Sequence, residues 1–407
     1  MSILLNSNIT TPVSKSVIEA MEPFANKAID LTSVSKENQK ALKAYKEAID
    51  KIYRSYNAVD DDTVILTSCV NEATSQVFYS VYLKYILTGR KNSIIISARA
   101  PINEIKLARF LESQGCRVYR IPVTADGTVD IEILKEYINS KTALVSIAMV
   151  DDESGVIQPI EEISVACSLH GVAFYCDASQ AIGKIPIDLG RTKIDFCSFG
   201  SKTIEGPKDI ASLYISKDAP IELMPLIFGG DFEQDGLRSN IEDVSKVIGY
   251  AKALEDAIDA LDFEIEDIRE LRDELEEKIL EVDGVYSLAP WALRVPNISI
   301  FAVENVSASM LLDQLATKDI VAYSFATHNH SHFERTSLIE INALPNSLKF
   351  STIGFSLGSN ITNKDIEVVA KEFKDAVKKI RSFSGDICKE DSWAKQQYYH
   401  QQEITLS

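Results

Sequence analysis

Two polar groups stand where buried stretches of chain stop. Val172 to Cys176 is an apolar run that ends in Asp177, and Ile194 to Phe199 is a second that ends in Gly200-Ser201-Lys202-Thr203. Short apolar runs bounded by turn residues read as buried strands. The sequence therefore brings an acid to the end of one strand and a lysine to the end of the next. In open α/β sheets that carboxyl edge is where ligands bind. A carboxylate that keeps a pyridine nitrogen protonated, beside an amine that condenses with an aldehyde, is the pair that pyridoxal phosphate (PLP) requires.

The block Asp177-Ala178-Ser179-Gln180, followed by Gly206-Pro207-Lys208, resembles the cysteine desulfurases of the class V aminotransferase family. Their motif runs Asp-Ala-(Thr/Ser)-Gln and then Ser-Gly-His-Lys-x-x-Gly-Pro-Lys. Ile9-Thr10-Thr11-Pro12-Val13, Leu144 to Gln158 and Phe355-Ser356-Leu357-Gly358 resemble three further family segments, so the resemblance runs from about Leu4 to Arg381. It implies a PLP-transferase type I fold, with a mainly parallel, seven-stranded-type sheet sandwiched by helices and a smaller α+β C-terminal domain. It also implies a dimer with the site at the subunit boundary. Carried over by the resemblance, the cofactor positions are Asp177, Gln180, Asn71, Ser201 and Thr203.

The resemblance breaks at the residues that do the chemistry. The Schiff-base lysine falls on Thr203, and Lys202 falls on the histidine before it. Pro101 takes the place of the histidine that stacks on the ring. Cys69-Val70-Asn71 replaces the Gly-Ala-Thr of the phosphate cradle, although backbone N–H groups and Asn71 remain to donate. Asp151 replaces the asparagine of the ring hydroxyl, where an anion would repel the phenolate. Ile241 replaces the threonine that reaches over from the partner, beside a retained Arg238-Ser239. Gly354 replaces the arginine that holds the substrate carboxylate. His328 lies near the position of the sulfur-accepting cysteine, and no cysteine occurs between Cys197 and Cys388.

These departures predict a catalytically degenerate desulfurase paralogue, a pseudoenzyme with no cofactor expected, acting through protein binding in sulfur or iron–sulfur metabolism. Its partners would be a second copy of itself, a true desulfurase in a heterodimer, or an iron–sulfur assembly protein. An alternative is a working PLP-dependent class V aminotransferase, lyase or cysteine desulfurase that uses Lys202. Other branches of the class place one more residue between their lysine and the following proline, and Lys202 fits that spacing. A third reading takes His328, His330 and His332, three of five histidines, as ligands for zinc, nickel or copper, with Glu334 as a fourth.

The elements that must position these residues alternate. Strands are expected at Val64–Leu66, Ser93–Ser97, Arg117–Pro122, Ala143–Met149, Val172–Cys176, Ile194–Phe199 and Ala211–Ile215. Helices are expected between them, at Asn103–Gln114, Asp130–Asn139 and Pro159–His170, as in a parallel sheet covered on both faces. Residues 14–262 would form the large domain. Residues 1–13 and 263–382 would form the small one, with strands at Asn297–Ala302, Ile320–Ser324 and Leu348–Ile353. Residues 383–407 would be a polar tail. A chain of 407 residues is long enough for two cores. A net charge of −18 argues against nucleic acid and anionic membrane as partners. Six cysteines without CxxC spacing, no membrane-length apolar run and no signal-peptide pattern predict a cytoplasmic protein with reduced thiols.

Overall fold

The computed structural model describes residues 2–59, 61–229, 234–239, 243–261, 265–328 and 335–383. A short strand, β1 (Ile3–Leu4), leads into helices α1 (Lys15–Ala25) and α2 (Lys36–Ser55). Ser14 and Ser35 begin these helices, their hydroxyls accepting from Val17 N and Asn38 N, as N-caps do.

Seven strands then build one sheet: β2 (Thr63–Thr67), β3 (Ser93–Ser97), β4 (Arg117–Ile121), β5 (Thr142–Ser146), β6 (Ala173–Asp177), β7 (Phe196–Gly200) and β8 (Ala211–Ile215). Their order is β2-β8-β7-β6-β5-β3-β4. Five of the strands, β3 to β7, pair in parallel, while β8 runs against both β7 and β2. The interior strands are apolar runs because helices cover both faces. β3, SIIIS, is buried at every residue, whereas edge strand β4, RVYRI, exposes Arg117 and Arg120. Helices α3 (Val70–Val81), α4 (Ile102–Ser113), α5 (Ile131–Tyr137), α6 (Ile160–Leu169) and α7 (Val244–Leu261) complete the layers. One core holds Ile95, Phe174 and Phe199, and the core on the opposite face holds Ile94, Tyr175 and Phe196. This alternation along each strand is the period of two that sheets impose.

A second core forms around β9 (Val285–Ser287), β10 (Ile298–Val303) and β12 (Thr352–Ser356), an antiparallel sheet in the order β12-β10-β9. Helices α8 (Ile265–Leu280), α9 (Ala308–Ala316) and α12 (Asn363–Phe383) surround it, together with short helices α10 (Phe325–His328) and α11 (Leu338–Ile341). Strand β11 (Ile320–Val321) pairs in parallel with β1, so the N-terminal lead joins this region. The expected strand at Leu348–Ile353 is displaced. Asn346–Phe350 is a 3-10 turn, and the strand begins only at Thr352.

Topology fixes one edge of the large sheet as the place of chemistry. β3, β5, β6 and β7 end there, and so does β2, which runs parallel to β7 across the reversed β8. The N-termini of α3 and α4 therefore open onto the same edge.

Candidate active site

β6 stops at Asp177 for a local reason. The Asp177 Oδ1 atom accepts from the Ser179 N–H at 2.9 Å and from the Ser179 hydroxyl at 2.5 Å. This Asx turn diverts the chain from the sheet. A cavity of about 390 Å³ lies over this end. Asn71, Asp177, Gln180, Ser201, Lys202 and Thr203 all line it, so the cofactor positions and the alternative lysine converge on one space. Burial pushes the Asp177 carboxyl up. The hydrogen bonds from Ser179 and the Lys202 charge pull it down, and the neighbouring Asp152 raises it further.

The phosphate end is built by the first turn of α3. Cys69 is its N-cap and makes no side-chain cap bond. Ser201, 1% exposed, carries an Oγ without a hydrogen-bond partner among the described residues. An unpartnered buried hydroxyl and a helix N-terminus that line one cavity suit a phosphate. Glu72 borders this turn, accepting from the Ser68 N–H at 2.7 Å and from Arg238 Nε at 3.0 Å. Thr203 is buried, and its hydroxyl donates to the Ser179 carbonyl at 2.9 Å. Lys202 is exposed. Pro101 caps α4 and also lines the cavity.

One sequence expectation changes here. Asp151 does not line the cavity; its neighbour Asp152 does. Arg99 grips the Asp151 carboxylate with Nε and Nη2, both at 2.9 Å, and Arg335 Nη2 adds a contact at 3.1 Å. Burial alone would raise this carboxyl, but the two guanidiniums hold it well below the usual range. Gln180, while lining the cavity, also donates to the Asn8 carbonyl at 2.7 Å and accepts from Lys184 at 3.1 Å.

Sequence reasoning missed both arginines. Arg99 also contacts Glu153 at 3.0 Å, and Arg335 Nη1 lies 2.8 Å from Asp152 Oδ1. Nothing in the local pattern marked residues 236 positions apart as partners of one carboxylate. It also missed Glu104, in the first turn of α4. Glu104 is fully buried, and its Oε2 accepts from the Ser146 hydroxyl at 2.6 Å. Burial pushes its pKa up to about 8.

At Gly354, the structure gives a physical account of the missing arginine. A Cβ there would lie 2.2 Å from Tyr323 Cζ. Tyr323 is locked in place: it exchanges backbone hydrogen bonds with Gly354 at 3.0 and 2.8 Å, and its hydroxyl donates to the Glu153 carbonyl at 2.8 Å. The metal reading falls largely outside the described residues, as do His330, His332 and Glu334. His328 closes α10. Among the described residues no group of three or more His, Cys, Asp or Glu is placed to hold a metal. Ile241 also lies outside the described residues.

Residues 3–369 match the model of the class V aminotransferases. The chain belongs to the class V aminotransferase family. It is cysteine desulfurase-like within that family. It is 30% identical over 387 residues to a cysteine desulfurase IscS from Dictyoglomus turgidum, covering 94% of this chain and 96% of the relative. It is 31% identical to a mitosomal cysteine desulfurase from Encephalitozoon cuniculi, covering 94% and 88%. A solved NifS-like protein superposes with a TM-score of 0.85 at 25% identity, over 93% of this chain and all of that one. These matches overturn the expectation that no cofactor is bound, since PLP is the cofactor of this family. The unpartnered Ser201 hydroxyl, the open first turn of α3 and the Asp177 carboxylate fit its phosphate and ring nitrogen. No helix among the described residues is long and apolar enough to cross a membrane.

Proposed function

We propose that this class V protein binds PLP but does not take sulfur from cysteine, and that it acts by binding another protein in sulfur or iron–sulfur metabolism. The observation that carries the reading is the Tyr323 ring packed across Gly354. The space for a carboxylate clamp is filled, so a free amino acid loses a charged hydrogen bond contributing about 1.5–3 kcal/mol. The absence of any cysteine between Cys197 and Cys388 supports the same reading, because the segment around His328, where the resemblance places the sulfur-accepting cysteine, offers no thiol. The exposed Cys69 thiol on the cavity wall sits instead at the phosphate end, at the N-cap of α3.

When bound, the cofactor supplies an electron sink for a carbanion next to its imine nitrogen. Asp177 would hold the proton on the ring nitrogen. Ser201 Oγ and the first turn of α3 would take the phosphate. The Thr203 hydroxyl, held on the Ser179 carbonyl, would close the cavity floor without offering an amine. The resemblance of the whole chain to dimeric desulfurases supports a homodimer, or a heterodimer with a desulfurase.

The test is sulfide release from cysteine by the PLP-loaded protein, with no release above a heat-inactivated control expected. Release of sulfide would sink the proposal. A second reading, an active enzyme using Lys202, is favoured by one feature. Lys202 lines the same cavity as Asp177, and its charge reaches that carboxylate. Borohydride reduction followed by peptide mapping separates the two readings. Cofactor fixed on Lys202, and lost in Lys202→Ala, would promote the second.

A further inference from the structure

On the far side of Gln180 the chain turns through Gly183, at φ +70°, where a Cβ would lie 2.7 Å from the Ala257 Cβ. The glycine lets this turn close onto α7. The next residue, Lys184, is thereby held at the base of a cleft between α7, the start of α8 and the segment before β10. Lys184 is 8% exposed. Its ammonium donates to the neutral Gln180 amide oxygen at 3.1 Å, and it forms no ion pair among the described residues. Buried charges are ordinarily paired, and burial alone pushes this amine down to about 8.

Two cavities meet at Lys184, of about 310 and 650 Å³. Both are lined by Ile182, Leu261, Ile265 and Pro296. The acids on the smaller one are already engaged. Asp256 pairs with Lys252 at 2.7 Å and accepts from Ser16 at 2.6 Å, and Glu205 accepts from the Ser359 hydroxyl. A second polar residue, Asn297, lines the smaller cavity. Asn297 is 4% exposed and donates to Ser356 Oγ and the Leu357 carbonyl, while its Oδ1 has no hydrogen-bond partner among the described residues.

We propose that this cleft is a second ligand site, separate from the PLP cavity, for a small amphipathic carboxylate. The acid group pairs with Lys184, a hydrogen-bond donor on the ligand serves Asn297 Oδ1, and an apolar body lies along Ile182, Leu261 and Ile265. A cation and an acceptor that are both unpaired among the described residues, with apolar walls, are what such pockets combine. The inference does not depend on the fate of cysteine chemistry in the other cavity.

Calorimetric titration of the full chain with octanoate, octanol and octylamine tests it, at concentrations below micelle formation. Octanoate should bind tighter than either of the others by roughly tenfold or more, the worth of one charged hydrogen bond. 2-Hydroxyoctanoate should bind tighter than octanoate. Lys184→Met, which keeps the apolar stem, should remove the preference for the acid, while the surface variant Lys135→Met should keep it. If Lys184→Met does not fold, Leu261→Trp, which fills the cleft, should abolish octanoate binding. No octanoate binding, equal binding of the three probes, or binding indifferent to Lys184→Met or Leu261→Trp would overturn the site. Equal binding of the hydroxy acid and octanoate would overturn the role of Asn297.

Discussion

At the scale of single residues, Asp177 and Gly354 are each fixed by one neighbour, Ser179 and Tyr323. Asp177 is positioned by its own Asx turn, so its carboxylate is fixed before any ligand arrives. Asp177→Asn keeps the turn acceptor but loses the charge. Retention of PLP should weaken by roughly ten- to a hundredfold, the worth of a charged hydrogen bond, as read by equilibrium dialysis of the coloured protein. Gly354 is constrained from the other side. Gly354→Ala places a methyl against the Tyr323 ring, and overpacking of this kind costs about 1–3 kcal/mol. The loss should appear in the urea midpoint. It should shrink when Tyr323→Ala is added, because the two substitutions then act on one contact. If the penalty is unchanged with alanine at 323, the steric account of the lost arginine fails. These residues differ in legibility. Asp177 could be read from an acid at the end of an apolar run. The reason for Gly354 could not, because Tyr323 approaches it through a tertiary bridge between separate strands.

At the scale of elements, α4 shows how a helix start can serve a sheet edge. Glu104 lies in its first turn, where the helix dipole favours a negative charge. Yet the residue is fully buried against β5, with one oxygen on Ser146 and the other without a partner among the described residues. Desolvation outweighs the dipole, and the pKa rises to about 8 from an ordinary 4.5. The folded state thus holds a proton that the unfolded chain releases above pH 4.5. The stability from Glu104 is present below that pH and is lost as pH rises toward 8, following the sign of proton linkage. Glu104→Gln keeps the shape and removes the titration. Between pH 5 and 8 the wild type should lose more of its urea midpoint than the variant. Parallel loss in both would show that Glu104 is ionised in the folded state. The strands around this helix were readable because β3, β5 and β7 are continuous apolar runs. β12 was not, since Leu348 and Ile353 look like one run but a 3-10 turn at Asn346–Phe350 takes the first part. A short apolar stretch does not say which turn its backbone makes.

At the scale of the whole molecule, the order of strands and helices was legible nearly throughout, and the site positions converged on one cavity. The arginines were not legible, because Arg99 and Arg335, far apart in sequence, meet at the Asp151 carboxylate only in the tertiary structure. The same scale decides whether the molecule is a dimer. Three consecutive apolar residues, Leu226, Ile227 and Phe228, are exposed, Phe228 at 75%. Adjacent exposed apolar side chains mark contact surfaces more than scattered ones do. The strip adjoins the phosphate end of the cavity: the Ile227 carbonyl accepts from the Ser239 N–H at 3.2 Å, and the preceding Arg238 pairs with Glu72 at the first turn of α3. Covering it would bring a second chain to the mouth of the site. Light scattering at micromolar concentration should therefore give twice the 45.1 kDa chain mass. Phe228→Asp, which puts a charge into the covered strip, should shift the protein toward monomer and raise the concentration needed for association by roughly tenfold or more, the range of a buried aromatic anchor. Thermal stability of the dilute variant should stay within a few degrees of the wild type, since the side chain lies outside the core of its own subunit. If the wild type scatters as a monomer, or if Phe228→Asp remains fully dimeric, the strip does not hold two chains together.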